Sequence, residues 1–313
     1  MKSRYEFPFE SRYLIINNRK IHYIDEGQGP IIWMMHGMPM WSYVYRKLIP
    51  PLVNAGYRCI VPDLMGFGLS DMPDNEAEHT LKVHVAMMTE LIDQLELKNI
   101  TIVGQDWGGH ISLRYAIENK NNIAAIILLN TFIERFPANQ KERKDNNIIT
   151  GPLPKAYEIL FKNGKLSSFL VKKLYVFRKF VWFKWKTGNP SKLLGAGFRR
   201  PVDPRAMENY LLPHSKPENR SAIAAFAKLI PNHKNHPNAD YIDQIRNELE
   251  QWNIPCLVVF PDGDMAWKPD EGEKIANILV DSEFHLIKNA GHYIQEDAGE
   301  EVAELMIKFL KRN

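Results

Sequence analysis

The chain has 313 residues, of which 45% are hydrophobic and 25% charged, a composition typical of a globular protein with one large domain or two. The 40 Lys and Arg residues against 37 Asp and Glu residues give a net charge of +3, which is too small to predict binding to nucleic acid or to an acidic membrane surface. The 2 cysteines, Cys59 and Cys256, lie in apolar stretches, so neither a disulfide framework nor a zinc site is expected. The first residues lack an apolar signal-peptide core, and no apolar run reaches the ~18 residues of a membrane span. A soluble, cytoplasmic protein is the expectation.

Short β-rich runs alternate with amphipathic segments over the first 130 or so residues. Asn17 and Asn18 separate two such runs and predict a hairpin. Short apolar runs bounded by Gly or Pro predict buried strands, and apolar residues at helical spacing predict a helix over 81–95. This alternation predicts an α/β fold with a mainly parallel sheet and helices on both faces. The predicted strands are 13–16, 21–25, 31–35, 58–62, 100–104 and 123–129.

The pattern changes at about residue 134, where the β-rich runs stop until after residue 217. The intervening stretch is basic and aromatic, as in FVWFKWK at 180–186, and several prolines interrupt it. Strands are predicted again at 255–260 and 283–287, each followed by a helical segment. The predicted organisation is a core formed by 1–133 and 218–313, with an inserted helical cap at 134–217.

The sequence VGQDWGG at 103–109 lies between a predicted strand and a helix predicted over 111–118. It has the small-x-nucleophile-x-small-small pattern of a nucleophile elbow, with Asp106 as the nucleophile. The glycines are expected because side chains there would collide with the neighbouring strand and helix. The dipole of the following helix favours an ionised carboxylate at its N-terminus.

An aspartate in place of serine changes the chemistry that the elbow supports. A carboxylate attacks an sp³ carbon by displacement and forms an alkyl-enzyme ester, which water must then hydrolyse. The alternative is that Asp106 only caps the helix that follows it.

A base and an orienting acid are expected later in the chain. His292 follows the strand predicted at 283–287, and Asp264 follows the strand predicted at 255–260. A histidine is suited to activate water near neutral pH, and a carboxylate on its other ring nitrogen fixes the tautomer. Asp262 is the alternative acid. His36 and His110 are expected to be structural, with His110 packed or solvated.

Four segments resemble the haloalkane dehalogenases and epoxide hydrolases, a branch of the α/β-hydrolases: HGMPMWSYVYRKLIP, PDLMGFGLSDMP, GQDWGGH and NAGHYIQED. The resemblance covers nearly the whole chain, and GQDWGG is its most specific part. It implies an α/β-hydrolase fold with a helical cap over the pocket. It also implies hydrolysis of a small apolar haloalkane to an alcohol and a halide ion, with Asp106, His292 and Asp264 as the catalytic set. No cofactor or metal is expected, and the protein is expected to be a monomer or a weak oligomer.

The resemblance also predicts which residues bind substrate and halide. Epoxide hydrolases place a ring-opening tyrosine near 224–228, where this chain has Phe226, and phenylalanine cannot donate a proton. The indole N–H of Trp107 is a donor for the departing halide. Many dehalogenases carry an Asn as second donor where this chain has Met38. In one subgroup a cap tryptophan replaces it, which points to Trp182 before Trp185.

In that subgroup the catalytic acid follows the later strand, as Asp264 does here, and the position that corresponds to Asn130 carries no acid. The alternative interpretation of 180–186 is an amphipathic helix that only packs its aromatic side chains. Three hypotheses for the whole protein stay open at this point: a haloalkane dehalogenase, an epoxide hydrolase or another hydrolase that uses Asp106, and an inactive binding scaffold.

Overall fold

The structure is a computed structural model that describes residues 4–134, 194–231 and 236–313. Its centre is an 8-stranded sheet in the order β1-β2-β4-β3-β5-β6-β7-β8. The first two strands are antiparallel to their neighbours, and the other pairs are parallel. The mainly parallel sheet predicted from the sequence is therefore confirmed. The strands are β1 Arg12–Ile16, β2 Arg19–Glu26, β3 Ile31–Met35, β4 Arg58–Pro62, β5 Ile100–Gln105, β6 Ile123–Leu129, β7 Pro255–Pro261 and β8 Asp281–Ile287.

The central strands are buried on both faces, which explains their continuous apolar runs. In β3, Ile32 and Met34 belong to one hydrophobic cluster, whereas Trp33 and Met35 belong to another. Because successive strand residues point to opposite faces, the two clusters are the two layers between the sheet and the helices that cover it. Helices therefore lie on both faces, as predicted.

The described helices follow the strands in the expected alternation. Thr80 caps α2 by accepting the N–H of Val83, and Pro204 occupies the first position of α4, where its missing N–H costs nothing. The α-helices are α1 Ile49–Asn54, α2 Leu81–Gln94, α3 Trp107–Glu118, α4 Pro204–Leu211, α5 Ser221–Leu229, α6 Ala239–Leu249, α7 Pro269–Ile278, α8 Ile294–Asp297 and α9 Gly299–Leu310.

Several predicted boundaries differ from the structure by one to four residues, and packing explains two of them. The helix expected over 111–118 begins at Trp107, because Gly108 and Gly109 lie within α3 rather than in a loop before it. Glycine is unfavourable inside a helix, but here tight packing against the sheet overrides that preference. The last strand begins at Asp281, since its first residues are polar and only the parallel register with β7 marks them as strand.

The predicted cap lies largely outside the described residues. Between residues 194 and 217 the structure contains α4 and short 3₁₀ turns, and this part of the chain contributes no strand to the sheet. The cap boundaries at 134 and 217 stay predictions. Within the described ranges, no helix has both the length and the apolar character that crossing a membrane requires.

The order of the strands determines where the site lies. Strands β5, β6, β7 and β8 are consecutive neighbours in the sheet and run parallel. Their carboxyl ends therefore share one edge, which is where open α/β sheets bind ligands. The residues that follow these strands at this edge are Asp106, Asn130, Asp264 and His292.

Candidate active site

Asp106 occupies the turn between β5 and α3 in a strained backbone conformation. Its φ is 50° and its ψ is −127°. This is a positive φ on a residue with a side chain, which costs about 1–3 kcal/mol and persists only where the surroundings enforce it. The side chain of Thr131 contributes to this, because its hydroxyl donates to the carbonyl of Asp106 at 2.7 Å.

The glycines around Asp106 are required by close contacts. A Cβ on Gly104 would overlap the backbone of Gly109 in the following helix. A Cβ on Gly108 would overlap the carbonyl oxygen of Met35, at the end of β3. A Cβ on Gly109 would overlap the side chain of Thr131. The turn can therefore be this tight only with the small residues that the sequence pattern predicted.

The carboxylate of Asp106 is buried and held by backbone amides. Its Oδ2 accepts the N–H of Met38 at 3.0 Å, and the N–H of Trp107 is a second hydrogen-bond donor to the carboxylate. Burial raises the pKa of Asp106, whereas the positive charge of His292 and the two amides oppose that rise. The two N–H groups stabilise negative charge at this position.

Met38 contributes to the site in a way that the sequence did not reveal. It was singled out because its side chain has no N–H for a halide, yet its backbone N–H contacts the nucleophile. Sequence reasoning missed this because a backbone donor does not depend on the residue type. The neighbouring Gly37 is explained by the same proximity, since a Cβ there would overlap the side chain of Asp106.

His292 and Asp264 form a buried pair beside the nucleophile. The Nδ1 of His292 lies 2.9 Å from the Oδ2 of Asp264, whose side chain is fully buried. Asp264 also accepts the N–H of Ala266 at 2.6 Å and the side-chain amide of Asn130 at 2.9 Å. The carboxylate therefore accepts hydrogen bonds from three donors and holds the protonated Nδ1 of His292, so Nε2 is the nitrogen through which the imidazole would exchange a proton.

The charges around the imidazole set its pKa. Burial by itself would lower the pKa of His292, but the carboxylates of Asp264 and Asp106 raise it to about 9. For Asp264, burial would raise the pKa, but the charge and hydrogen bond of His292 lower it below its usual value. The imidazole thus lies between two anionic groups, which are the predicted nucleophile and the predicted acid.

The alternative acid, Asp262, has a different place in the structure. It is exposed, and its Oδ1 accepts the N–H of Ala290 at 3.3 Å in the loop before the histidine. Among the described residues, the hydrogen bonds of Asp262 do not include one to His292. The structure therefore brings Asp264, and not Asp262, to the imidazole.

Two polar residues that the sequence analysis did not assign to the site also hold the histidine. Asn130 donates to the carbonyl of His292 at 2.6 Å, and Gln105 donates to the same carbonyl at 3.3 Å. The only available signal was their position, because each is a polar residue at the end of a buried strand. Asn130 had been considered only as a position that lacks an acid.

An aromatic wall lies next to the nucleophile. The ring of Trp107 packs edge-to-face against Phe226 on α5 at 5.6 Å and against Phe132 at 5.4 Å. Its indole N–H makes no hydrogen bond to any residue in the described ranges. Trp182 and Trp185 lie outside the described residues, so their predicted contribution to halide binding stays a prediction.

His36 and His110 are both buried and hold no charge. His36 accepts the N–H of Leu64 on Nε2 at 3.0 Å and donates from Nδ1 to the carbonyl of Gly37 at 2.9 Å, while burial lowers its pKa. It thereby fixes the loop that carries Met38. His110 packs against Phe132 at 3.9 Å, and burial lowers its pKa to about 3. It is therefore packed rather than solvated.

A metal site is not evident in this part of the molecule. Across residues 4–134, 194–231 and 236–313, no group of three or more His, Cys, Asp or Glu side chains is arranged to hold a metal ion.

Comparison with known proteins agrees with the fold. Residues 30–150 match the family model described as the alpha/beta hydrolase fold. A haloalkane dehalogenase of Psychrobacter cryohalolentis is 31% identical over 98% of this chain and 94% of its own length. A cis-3-alkyl-4-alkyloxetan-2-one decarboxylase of Shewanella oneidensis is 32% identical over 94% of this chain and 86% of its own length. The solved structure of the tetrameric haloalkane dehalogenase DpaA from Paraglaciecola agarilytica has a TM-score of 0.77 at 24% identity, covering 96% of this chain and 92% of that one.

The sheet, the tight turn after β5 and the matched family model define an α/β-hydrolase. Within that class, two curated haloalkane dehalogenases are each 31% identical to this chain over 98% and 97% of its length. The chain belongs to the haloalkane dehalogenase family.

Proposed function

We propose that the protein hydrolyses the carbon–halogen bond of small apolar haloalkanes and releases an alcohol and a halide ion. The observation that carries this proposal is the aspartate in the strained turn beside His292 and Asp264. The Nδ1 of His292 and the Oδ2 of Asp264 are 2.9 Å apart. This arrangement occurs in a chain that is 31% identical to a haloalkane dehalogenase over 98% of its length. Both reaction steps need only side chains, backbone amides and water.

In the first step, Asp106 is the nucleophile. Met38 holds Oδ2, so the other oxygen, Oδ1, attacks the carbon that bears the halogen. The new C–O bond forms as the carbon–halogen bond breaks, and the halide leaves with the electron pair. The product is an alkyl ester on Asp106.

In the second step, His292 is the base. Nε2 takes a proton from water, and the resulting hydroxide adds to the ester carbonyl carbon of Asp106. Negative charge then develops on Oδ2, where the N–H of Met38 already lies. When the intermediate collapses, the alcohol leaves with the proton from His292, and the acid form of Asp106 loses its proton to solvent.

Electrostatics couple the two steps. The charge of Asp106 is one of the causes that raise the pKa of His292 to about 9 in the free enzyme. Ester formation removes that charge, so the pKa of His292 falls and its Nε2 becomes free to act as a base. The reverse effect helps the first step, because a protonated His292 favours the ionised form of Asp106.

A departing halide needs donors in an otherwise apolar pocket, because an unpaired buried charge is costly. The indole N–H of Trp107 is our candidate for the first donor, and Phe226 for the apolar wall behind it. Met38 offers its side chain only as an apolar surface. We propose Trp182, before Trp185, as the second donor.

An epoxide hydrolase is less well supported by the described residues. Phe226, fully buried on α5, has no hydroxyl to protonate a ring oxygen. The hydroxyl of Tyr210 donates to Glu296 at 2.6 Å and accepts from Arg46 at 3.0 Å, so it is already engaged. An inactive scaffold would have no need for the hydrogen bonds that orient His292.

A second candidate is decarboxylation of a cis-disubstituted oxetan-2-one. The observation in its favour is the 32% identity with the Shewanella oneidensis relative that carries that name. An assay for carbon dioxide release from such a lactone separates this activity from halide release.

A substrate screen tests the proposal. Short mono- and dihaloalkanes should release halide, whereas styrene oxide and a cis-disubstituted oxetan-2-one should give no diol and no carbon dioxide. Asp106→Ala should abolish halide release, while its folded state is checked by circular dichroism. Conversion of the epoxide or the lactone without any halide release would reject the dehalogenase assignment.

We further propose that the enzyme is cytoplasmic and is a monomer or a weak oligomer. The related DpaA structure is described as tetrameric, so a stable tetramer in analytical ultracentrifugation would contradict this expectation.

A further inference from the structure

The loop that carries His292 packs tightly against residues 197–200, which we call the 197–200 segment. The carbonyl of Gly197 accepts the N–H of Tyr293 at 3.3 Å. A Cβ on Gly291 would overlap the carbonyl of Gly197, and a Cβ on Gly197 would overlap the ring of Tyr293. The residues on both sides of His292 therefore touch this segment without space between them.

One buried carboxylate ties the loop and the segment together. The Oδ2 of Asp297 accepts the N–H of Gly291 at 2.7 Å and the N–H of Arg199 at 2.8 Å. Its Oδ1 accepts the N–H of Arg200 at 3.1 Å. Asp297 is 6% exposed, and its own N–H donates to the carbonyl of Tyr293 at 3.1 Å. A single side chain thus holds the amide directly before His292 and two amides of the 197–200 segment.

The same segment reaches the loop that carries the acid. The Nε of Arg199 donates to the carbonyl of Gly263, the residue before Asp264, at 3.3 Å. The N–H of Gly263 donates in turn to the carbonyl of Ala290 at 2.9 Å. The segment therefore contacts both loops whose side chains meet in the His292–Asp264 hydrogen bond.

We propose that Asp297 is a positioning residue for His292, acting through Gly291 and the 197–200 segment to hold the imidazole against Asp264. This inference rests on the proposed function, in which His292 is the base of the second step only. Loss of the carboxylate leaves the buried N–H of Gly291 and the part-buried N–H groups of Arg199 and Arg200 without this acceptor, so the loop shifts to find new partners. The first displacement uses Asp106, which lies in the turn between β5 and α3, and the hydrogen bonds of Asp297 among the described residues do not reach it. The effect therefore falls on ester hydrolysis.

The test measures the two steps separately in Asp297→Asn and Asp297→Ala. The side chain of asparagine retains one oxygen, which can accept the N–H groups of Gly291 and Arg199, but its NH₂ cannot accept the N–H of Arg200. Alanine retains no acceptor. Single-turnover halide release reports ester formation, and mass spectrometry of quenched samples reports ester decay. We expect formation to change less than about threefold. Decay should slow about tenfold in Asp297→Asn and further in Asp297→Ala, given that misplacement by about 1 Å costs ~100-fold.

The pH dependence of ester decay distinguishes positioning from a purely structural role. Decay requires neutral His292, and the contact with Asp264 is a cause of its raised pKa. A looser contact lowers that pKa, so the midpoint of the decay profile should move to lower pH in the variants. Equal slowing of both steps with an unchanged midpoint would show that Asp297 only supports the fold, and it would overturn the proposal.

A second variant keeps the proposal testable if Asp297 variants fail to fold. In Gly197→Ala, the new Cβ would displace the ring of Tyr293, the residue after His292. Ester decay should again slow more than ester formation, by a smaller factor than in the Asp297 variants. Gly195→Ala is its matched control, because among the described residues no atom outside its chain neighbours lies within 4 Å of a Cβ there. If Gly197→Ala hydrolyses the ester at the wild-type rate, the inference is wrong.

Nuclear magnetic resonance separates failure of this inference from failure of the proposed function. The pKa of His292 in the free protein can be measured without turnover, with His292→Phe used to assign the signal. It should be lower in Asp297→Asn than in wild type. An unchanged pKa rejects positioning by Asp297, whereas absence of halide release by wild type rejects only the dehalogenase proposal.

Discussion

The two halves of the site are held in place by different forces. The backbone of Asp106 is fixed mainly by steric contacts, because the small residues around it allow α3 to approach β3 and Thr131 closely. His292 and Asp264 come from separate loops, which are fixed by hydrogen bonds that involve the side chains of Asn130 and Asp297. The energy of steric overlap rises steeply with small displacements, whereas hydrogen bonds can be lengthened or replaced. Changes at the turn should therefore have large effects, and changes around the histidine should have smaller, graded ones.

The largest effect is expected from Gly108→Ala at the turn. Its Cβ would overlap backbone carbonyls at the end of β3, which cannot move without disrupting the sheet. Overpacking of this kind costs about 1–3 kcal/mol or more, and the displacement of Asp106 should remove measurable turnover. Thermal unfolding and halide release would be measured beside Gly195→Ala, which should resemble wild type. A soluble Gly108→Ala enzyme with near-normal turnover would show that the turn is not governed by sterics.

His292→Phe should separate the two steps. Turnover should be lost, because a positioned base contributes about 10²–10⁴-fold. The first displacement should persist, since Asp106 is its nucleophile and the base acts only in the second step. Mass spectrometry after incubation with a reactive haloalkane should therefore show a covalent adduct on the peptide that contains Asp106. Asp106→Ala is the control that must show none, and an unmodified His292→Phe protein would contradict the order of steps.

Asp264→Asn should reduce turnover strongly, whereas Asp262→Asn should change it little. Loss of the orienting acid costs up to about 10⁴-fold where the wrong tautomer results. Asp262 is exposed and holds only a backbone amide in the neighbouring loop. The reverse result, with an inactive Asp262→Asn enzyme and an active Asp264→Asn enzyme, would show that Asp262 is the orienting acid.

Adding Asn130→Asp to Asp264→Asn sharpens the same comparison. The side-chain nitrogen of Asn130 lies 3.4 Å from Nδ1 of His292, so a carboxylate there is within reach. Partial recovery of turnover would show that the acid is defined by proximity to the imidazole rather than by its place in the sequence.

Trp107→Phe should have a smaller effect. Removing one donor to a developing charge costs on the order of 3 kcal/mol in an oxyanion site, and less is expected for a diffuse halide charge. The variant should dehalogenate more slowly and lose the change in tryptophan fluorescence on halide binding. Trp182→Phe should act in the same direction more weakly. Trp252→Phe is a suitable control, since Trp252 contacts Lys120 on another part of the surface.

The smallest change is pH alone on the wild-type enzyme. Burial raises the pKa of Asp106, so ester formation should fall on acidification at a higher pH than for an ordinary aspartate. Ester hydrolysis requires neutral His292, so its rate should rise with pH to a midpoint below about 9, because the ester no longer carries the charge of Asp106. Pre-steady-state kinetics at several pH values measure both midpoints. A hydrolysis midpoint at or above that of the free enzyme would contradict the coupling.

The sequence by itself determined the parallel sheet, the covering helices and the turn at Asp106. Each of these follows from local patterns: apolar runs buried on two faces, helical spacing, and small residues where a Cβ would overlap its neighbours. The order of nucleophile, acid and histidine along the chain was also evident, because each follows a predicted strand.

Tertiary structure alone decided the partners of those residues. Asp262 and Asp264 are two residues apart after the same strand, and only the path of the loop brings Asp264 to Nδ1 of His292. Met38 and Asp297 act through backbone amides, which carry no sequence signature. The need for small residues at a tight turn is visible in the local sequence. The partner of a hydrogen bond depends instead on where segments of the chain meet, and that position is fixed only when the whole sheet has formed.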